Sequence, residues 1–193
     1  MIRILIVDDH PAMRAGLSAV LRAEPGLVPL NAAASVGDLW PMLNRTKPDV
    51  VVLDYHLPGD DGLILCRQIK RQLAAPAVLL YSAYADASLM IPARLAGVDG
   101  LVSKSAPANE LYDAIRRVAR GERVLPPISR ELLDAASTQL APDELPILGM
   151  TLEDTPINEM ATALGIEPGE VAHRIDRMLK RLKVEVPAPR AAG

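Results

Sequence analysis

The tightest constraint on this chain is a run of four apolar residues, Val50-Val51-Val52-Leu53, that ends directly in Asp54. So short a run, with Leu57-Pro58-Gly59 close behind, predicts a strand buried on both faces, the condition of a central strand in a parallel sheet. The Asp54 carboxylate then falls where strand meets loop. Ligands of open parallel sheets gather outside the carboxyl ends of the strands, so chemistry is expected there. A second strand, Ile2-Arg3-Ile4-Leu5-Ile6-Val7, also ends in acid, at Asp8-Asp9. Three carboxylates at one sheet edge suit a hard cation.

Up to about Gly121, short apolar runs alternate with amphipathic stretches, the pattern of βα units. Pro11 stands at a first helical position behind Asp9-His10, and Pro25-Gly26 ends that helix. Leu27–Ala33 contains Pro29, which places this strand at a sheet edge. Ser35 is a helix cap. Ala77–Tyr81 and Gly100–Ser103 complete five strands, ending at Ser82 and delivering Lys104. Pro92 predicts a kink or a late start in the helix at about 87–96. Five such units give a doubly wound, flavodoxin-like α/β sheet in the order 2-1-3-4-5.

Residues 122–139 read as a linker with a short helix. Residues 140–184 read as all helix, a small all-α domain. Thr155-Pro156 opens one helix, Gly165-Ile166-Glu167 turns the chain, and Pro168 opens a longer helix with Val171, Ile175, Met178 and Leu182 on one stripe. Helix, glycine turn, helix is a helix-turn-helix pattern. Pro146 is expected to interrupt the first helix of this domain. Residues 185–193, with Pro187 and Pro189, read as a disordered tail.

Charge separates the two parts. The net charge is −3, and residues 1–139 hold 15 Lys+Arg against 15 Asp+Glu, so the remainder carries the deficit. Residues 140–167 contain six acids and no Lys or Arg, whereas helix 168–183 carries Arg174, Arg177, Lys180, Arg181 and Lys183 beside His173. Phosphate neutralisation needs such basic groups on the groove-facing surface. At 3 % aromatics, with no Phe, there is little material for stacking single-stranded bases. Cys66 stands alone, which excludes a disulfide framework, and no apolar run approaches the length of a membrane span. With strand beginning at Ile2, these features are those expected of a cytoplasmic protein.

Asp8, Asp9, Asp54, Ser82 and Lys104 all fall at strand ends of one sheet edge. Each alone has a plain reading: a helix cap, a turn residue, a solvated lysine. Together they describe a site. Three carboxylates share a small pocket only if a cation offsets their repulsion, and oxygen ligands favour Mg²⁺. A phosphoryl group on Asp54 would bring about two negative charges, which Lys104 and the Ser82 hydroxyl could meet.

Leu5-Ile6-Val7-Asp8-Asp9-His10-Pro11, Val52-Leu53-Asp54, Tyr81-Ser82-Ala83 and Gly97-Val98-Asp99-Gly100 before Ser103-Lys104 closely resemble a response-regulator receiver domain, over about residues 1–121. The Asp-Asp-His opening and the helix-turn-helix behind it resemble the LuxR/FixJ-type (NarL-like) subfamily. The resemblance implies that Asp54 accepts a phosphoryl group from a cognate histidine kinase. It implies Mg²⁺ held by Asp8, Asp9, Asp54 and the backbone carbonyl of His56, with Ser82 and Lys104 on the phosphoryl oxygens. It further implies dimerisation on activation and duplex DNA as partner, with His173, Arg174, Arg177 and Arg181 as contacts. His10 is expected as a second-sphere or loop residue, not a metal ligand. His56 and Tyr84 are expected to flank the phosphoryl and shield it.

The departures from the family are specific. Leu101 stands where the resemblance leads one to expect an aromatic switch residue. Gly169 and Ala172 replace two family lysines, and the tail offers no fourth helix. A second function therefore stands beside transcription control: a phosphorylation-dependent adaptor whose degenerate helix-turn-helix binds protein or dimerises. An enzyme, a phosphohydrolase of the same topology, is disfavoured because His56 lies behind the third strand, where the general acid of that chemistry is not expected.

Overall fold

A computed structural model describes residues 1–83 and 87–182. The chain divides into two compact units, Met1–Ala85 with Ala96–Pro127, and Asp86–Leu95 with Ile128–Gly193.

The first unit is built on a parallel sheet. Its strands are β1 (Ile2–Val7), β2 (Leu27–Ala33), β3 (Val50–Asp54), β6 (Ala77–Ser82) and β7 (Gly100–Ser103), and a small antiparallel pair, β4 (His56–Leu57) with β5 (Asp60–Asp61), follows β3. The order across the main sheet is β2-β1-β3-β6-β7, the doubly wound order expected from sequence. Every residue of β3 is buried, as its unbroken apolar run requires. Pro29 sits in β2, the edge strand, where its missing N–H leaves no gap in a central ladder.

Helices α1 (Pro11–Ala23), α2 (Val36–Thr46), α3 (Gly62–Lys70) and α5 (Ala108–Ala119) connect the strands. Alternate strand residues Ile4 and Ile6, Val50 and Val52, and Leu79 and Tyr81 meet Leu17 and Leu21 of α1 and Leu111, Ile115 and Val118 of α5 in one core. Burial of such side chains stabilises the fold by about 1.5–3 kcal/mol each. Ser35 and Asp61 cap α2 and α3, accepting from the N–H groups of Asp38 and Leu63. Lys70 pairs with Asp99 at 2.9 Å, and the same carboxylate accepts from Val78 N–H at the start of β6.

Register carries the argument on to function. Val7 lies opposite Leu53, Asp54 opposite Tyr81, and Ser82 opposite Ser103. The residues that follow, or end, these strands therefore emerge side by side at one edge of the sheet.

In the second unit a 3₁₀ turn, Ala87–Leu89, leads into α4 (Met90–Ala96), so the helix begins late and Pro92 sits in its first turn. Helices α6 (Arg130–Ser137), α7 (Leu145–Leu152), α8 (Ile157–Leu164) and α9 (Pro168–Arg181) follow. Pro146 does not interrupt a helix as the sequence reading held; α7 starts at Leu145, and the proline occupies the first turn, where its absent N–H has no partner to lose. Arg94 of α4 donates to the carbonyls of Thr151 and Leu152 and pairs with Asp154, closing the carboxyl end of α7. Gly165, at φ +64, makes the left-handed turn between α8 and α9 that a side chain would strain. Val171, Ile175 and Met178 form the buried stripe of α9.

Candidate functional site

Three strand ends build the site. Asp8 follows β1, Asp54 ends β3, and both are buried; Lys104 follows β7 and donates from Nζ to Asp8 Oδ2 and to Asp54 Oδ2, at 2.7 Å each. The lysine is 96 residues from Asp8 and 50 from Asp54 in sequence. Only the parallel register unites them. Asp8 Oδ1 accepts from His10 N–H at 2.7 Å, and Asp54 Oδ1 accepts from His56 N–H at 3.3 Å. The loop after Asp54 is tight because Gly62 N–H donates to Tyr55 O, and a Cβ on Gly62 would stand 2.7 Å from Asp54 O.

The electrostatics follow from burial. Loss of solvent pushes the Asp54 carboxyl above its ordinary value, the Asp8 charge adds to this, and Lys104 with His56 N–H pull the other way. Burial works against the charge of Lys104, but hydrogen bonds to Asp54 and Asp8 outweigh it and hold the ammonium above the usual lysine value. With Lys104 as counter-ion, two buried carboxylates stay close together at this sheet edge.

The residues fit a hard divalent cation. One ligand atom from each of Asp8, Asp9, His10 and Asp54 lies within 4.8 Å of the others. Asp9 Oδ1 is buried without a hydrogen bond, with His10 Nδ1 2.8 Å away. Carboxylate oxygens, one of them unsatisfied, are the donor set of Mg²⁺ and its kin. His10, expected as a second-sphere or loop residue, stands in the loop beside Asp9.

Ser82 is wholly buried, and its carbonyl accepts from Lys104 N–H at 2.8 Å. Leu101 lies opposite Leu80 on β7, buried, with its N–H donating to Val124 O. His56 is half-buried beside Tyr55, ring to ring at 4.6 Å. Tyr84 and Lys183 lie outside the described residues.

On α9 the basic residues meet acids. Arg174 pairs with Glu170 at 2.7 Å and with Asp143 at 3.1 Å. Arg177 Nε stands 3.5 Å from Glu144, and Arg181 donates to the same carboxylate. Glu144 is fully buried and also accepts from Ala141 N–H. His173 and Lys180 are exposed. In the sequence Glu144 closes Leu140-Ala141-Pro142-Asp143-Glu144, which stands where the LuxR-type pattern begins, but its pairing with Arg177 and Arg181 was not read there.

A buried aspartate at the carboxyl end of the central strand, flanked by an acidic pair and bridged by lysine, defines a doubly wound α/β domain with an acidic site at its strand ends. The chain belongs to the response-regulator receiver family: the model of that domain matches residues 4–116. The DNA-binding transcriptional activator DevR/DosR of Mycobacterium tuberculosis is 30 % identical, with 96 % of this chain and 90 % of that protein covered. The transcriptional regulatory protein LiaR of Bacillus subtilis is 29 % identical over 95 % of this chain and 92 % of its own. Among solved structures, a LuxR-family two-component response regulator from Aurantimonas is 32 % identical at a TM-score of 0.63, covering 71 % of this chain and 99 % of that one. A structure of RcsB dimers bound to DNA shares the fold over 96 % of this chain, at 22 % identity and a TM-score of 0.61. The chain is thus a two-component response regulator whose relatives control transcription. Among the described residues no helix is long and apolar enough to cross a membrane.

Proposed function

We propose that the protein is a cytoplasmic switch that takes a phosphoryl group on Asp54 from a histidine kinase and thereby controls transcription through its helix-turn-helix. The observation that carries this is the pair of 2.7 Å bonds from Lys104 to Asp8 and Asp54, which presents a carboxylate nucleophile beside a cation that can follow the incoming charge. An Asp54 oxygen attacks phosphorus, the bond from phosphorus to the kinase imidazole breaks, and that imidazole keeps the electron pair. Asp8, Asp9, Asp54 and the His56 carbonyl would hold Mg²⁺, which when bound supplies positive charge against the phosphoryl oxygens. Lys104 meets one of those oxygens, and the Ser82 hydroxyl another. Ser82 and Lys104 are joined through their backbones, so a shift of either moves both loops. Leu101, without a ring to reorient, leaves that shift to the backbone, and the altered face promotes a homodimer.

In this reading His173, Arg174, Arg177 and Arg181 serve as the duplex contacts. A second reading, a phosphorylation-dependent adaptor that does not bind DNA, is favoured by the ion pairs that engage all three arginines. One experiment separates them: anisotropy of labelled genomic duplex fragments at low and raised salt, with and without phosphorylation by an acyl phosphate and Mg²⁺. Salt-sensitive binding that follows phosphorylation supports the transcription factor. No binding in either state, with Asp54 fully phosphorylated, supports the adaptor. Failure of Asp54 to accept the phosphoryl group, with Asp54→Asn as control, overturns both.

A further inference from the structure

We infer that His10 is a further metal ligand, and that through its Nδ1 the acidic site takes a first-row transition ion such as Mn²⁺ or Co²⁺ in preference to Mg²⁺. The inference rests on the reading of Asp8, Asp9 and Asp54 as a cation site, and adds a nitrogen donor to that oxygen set. The chain fixes the residue from both sides. His10 precedes Pro11, which confines its backbone to the extended region, and it stands there at φ −81 and ψ 113. Its N–H donates to Asp8 Oδ1 at 2.7 Å. It occupies the cap position of α1, where a polar side chain ordinarily accepts from the first helical N–H groups, yet its ring makes no such bond. The ring is 61 % exposed, so packing does not set its direction either. It turns to the acids instead: Nδ1 stands 2.8 Å from Asp9 Oδ1 and 3.3 Å from Asp8 Oδ1.

These separations suit a shared ion. Asp9 Oδ1 is buried and makes no hydrogen bond even with Nδ1 at 2.8 Å, so the contact is not a directed one. Two donors held at right angles by one cation, each about 2.1 Å from it, lie about 3 Å apart. The two separations from Nδ1 fall on either side of that value. Asp54 brings a fourth ligand atom within 4.8 Å of the others. In a neutral imidazole one ring nitrogen carries no proton and can give its electron pair to a metal. Mg²⁺ gains little from nitrogen, whereas imidazole suits the later divalent ions, so His10 changes which ion the site favours.

The test is calorimetric titration of the full chain with Mg²⁺ and, separately, with Co²⁺ at one fixed pH, joined to pulsed electron paramagnetic resonance of the Mn²⁺-loaded protein. The parent chain is expected to bind Co²⁺ more tightly than Mg²⁺ and to show coupling between Mn²⁺ and a directly bound nitrogen. His10→Ala should weaken Co²⁺ about tenfold or more, since even partners one shell beyond the ligands cost about that much. It should abolish the nitrogen coupling and leave Mg²⁺ affinity as it was. Asp9→Asn, by contrast, should weaken both ions. The exposed ring and the absent cap bond let the fold survive His10→Ala, which a thermal melt checks. If neither ion binds the parent chain, the cation reading fails and the inference with it. If both bind and His10→Ala leaves Co²⁺ affinity unchanged or raises it, as loss of a plain Asp9–His10 ion pair would, the role of His10 is overturned while the cation site stands. Nitrogen coupling that persists in His10→Ala overturns it as well.

Discussion

Lys104 Nζ lies 2.7 Å from Asp54 Oδ2, so the lysine rests on the carboxylate proposed to accept the phosphoryl group. Asp8 takes a second bond from the same ammonium, and all three groups are largely shielded from water. Breaking a buried pair costs more than the pair itself contributes, because the charge left behind has no solvent. Lys104→Ala should therefore destabilise the fold by about 3 kcal/mol. Mg²⁺ should recover part of the loss, since a divalent cation meets the same carboxylates. The check is a thermal melt with and without Mg²⁺: the rise on adding metal is expected to be larger in Lys104→Ala than in the parent chain. Equal rises would show that the metal and the lysine do not share these ligands.

The loop that follows Asp54 depends on a residue with no side chain. A Cβ at Gly62 would lie 2.7 Å from Asp54 O and 2.8 Å from both Cα and O of Tyr55, all backbone that has little room to retreat. Gly62→Ala is expected to cost about 1–3 kcal/mol as overpacking does. It should also slow phosphorylation of Asp54 by an acyl phosphate, because the backbone it displaces carries the His56 N–H that orients the carboxylate. Intact-mass kinetics at fixed donor concentration measure the second effect. A variant that melts lower yet reacts at the parent rate would separate the loop from the chemistry.

The site was legible in the sequence because it is made of strand ends. Unbroken apolar runs locate β1, β3 and β6, period and turn residues fix where they stop, and a parallel sheet does the rest. The glycine at 62 was not legible as a close approach, since its role depends on where the β4–β5 pair folds back. Nor was the Glu144 clamp. Its partner Arg181 lies 37 residues away, and the match of residues 140–144 to the LuxR-type pattern does not say which cation the acid meets. The same distance effect hid Arg94, whose carbonyl partners are 57 and 58 residues ahead. Pro146 misled because a proline reads alike at the start of a helix and in its middle; only the cap shows which.

Glu144 links stability to the output surface. It is fully buried, whereas Arg177 and Arg181 are each more than a third exposed, so solvent already screens part of the attraction. Glu144→Gln should cost about 1–2 kcal/mol, chiefly the weakened bonds to Arg181 and to Ala141 N–H. It should also free both guanidiniums. If they are duplex contacts, low-salt affinity rises and the salt dependence steepens by about one unit per released arginine. Unchanged affinity in a folded variant would remove both from the list of phosphate contacts.

Arg174 gives a prediction with a definite sign in pH. Its hydrogen bond draws Glu170 below the ordinary 4.5, and the nearby charges of Arg174, Arg177 and His173 act the same way. A carboxyl depressed in the folded state contributes stability above its unfolded value, and that contribution is lost as pH falls below 4.5 through the folded value. Carbon-detected NMR of the Glu170 side chain should place its midpoint below 4.5 in the parent chain, and Arg174→Ala should return it toward that value. The converse follows from the same bond. Glu170→Gln leaves Arg174 with Asp143 alone, so an arginine that contacts duplex in the parent chain must bind more tightly in this variant at neutral pH. A midpoint unmoved by Arg174→Ala would mean that the pair at 2.7 Å does not persist in solution, and the arginine would then be available to a partner without any rearrangement.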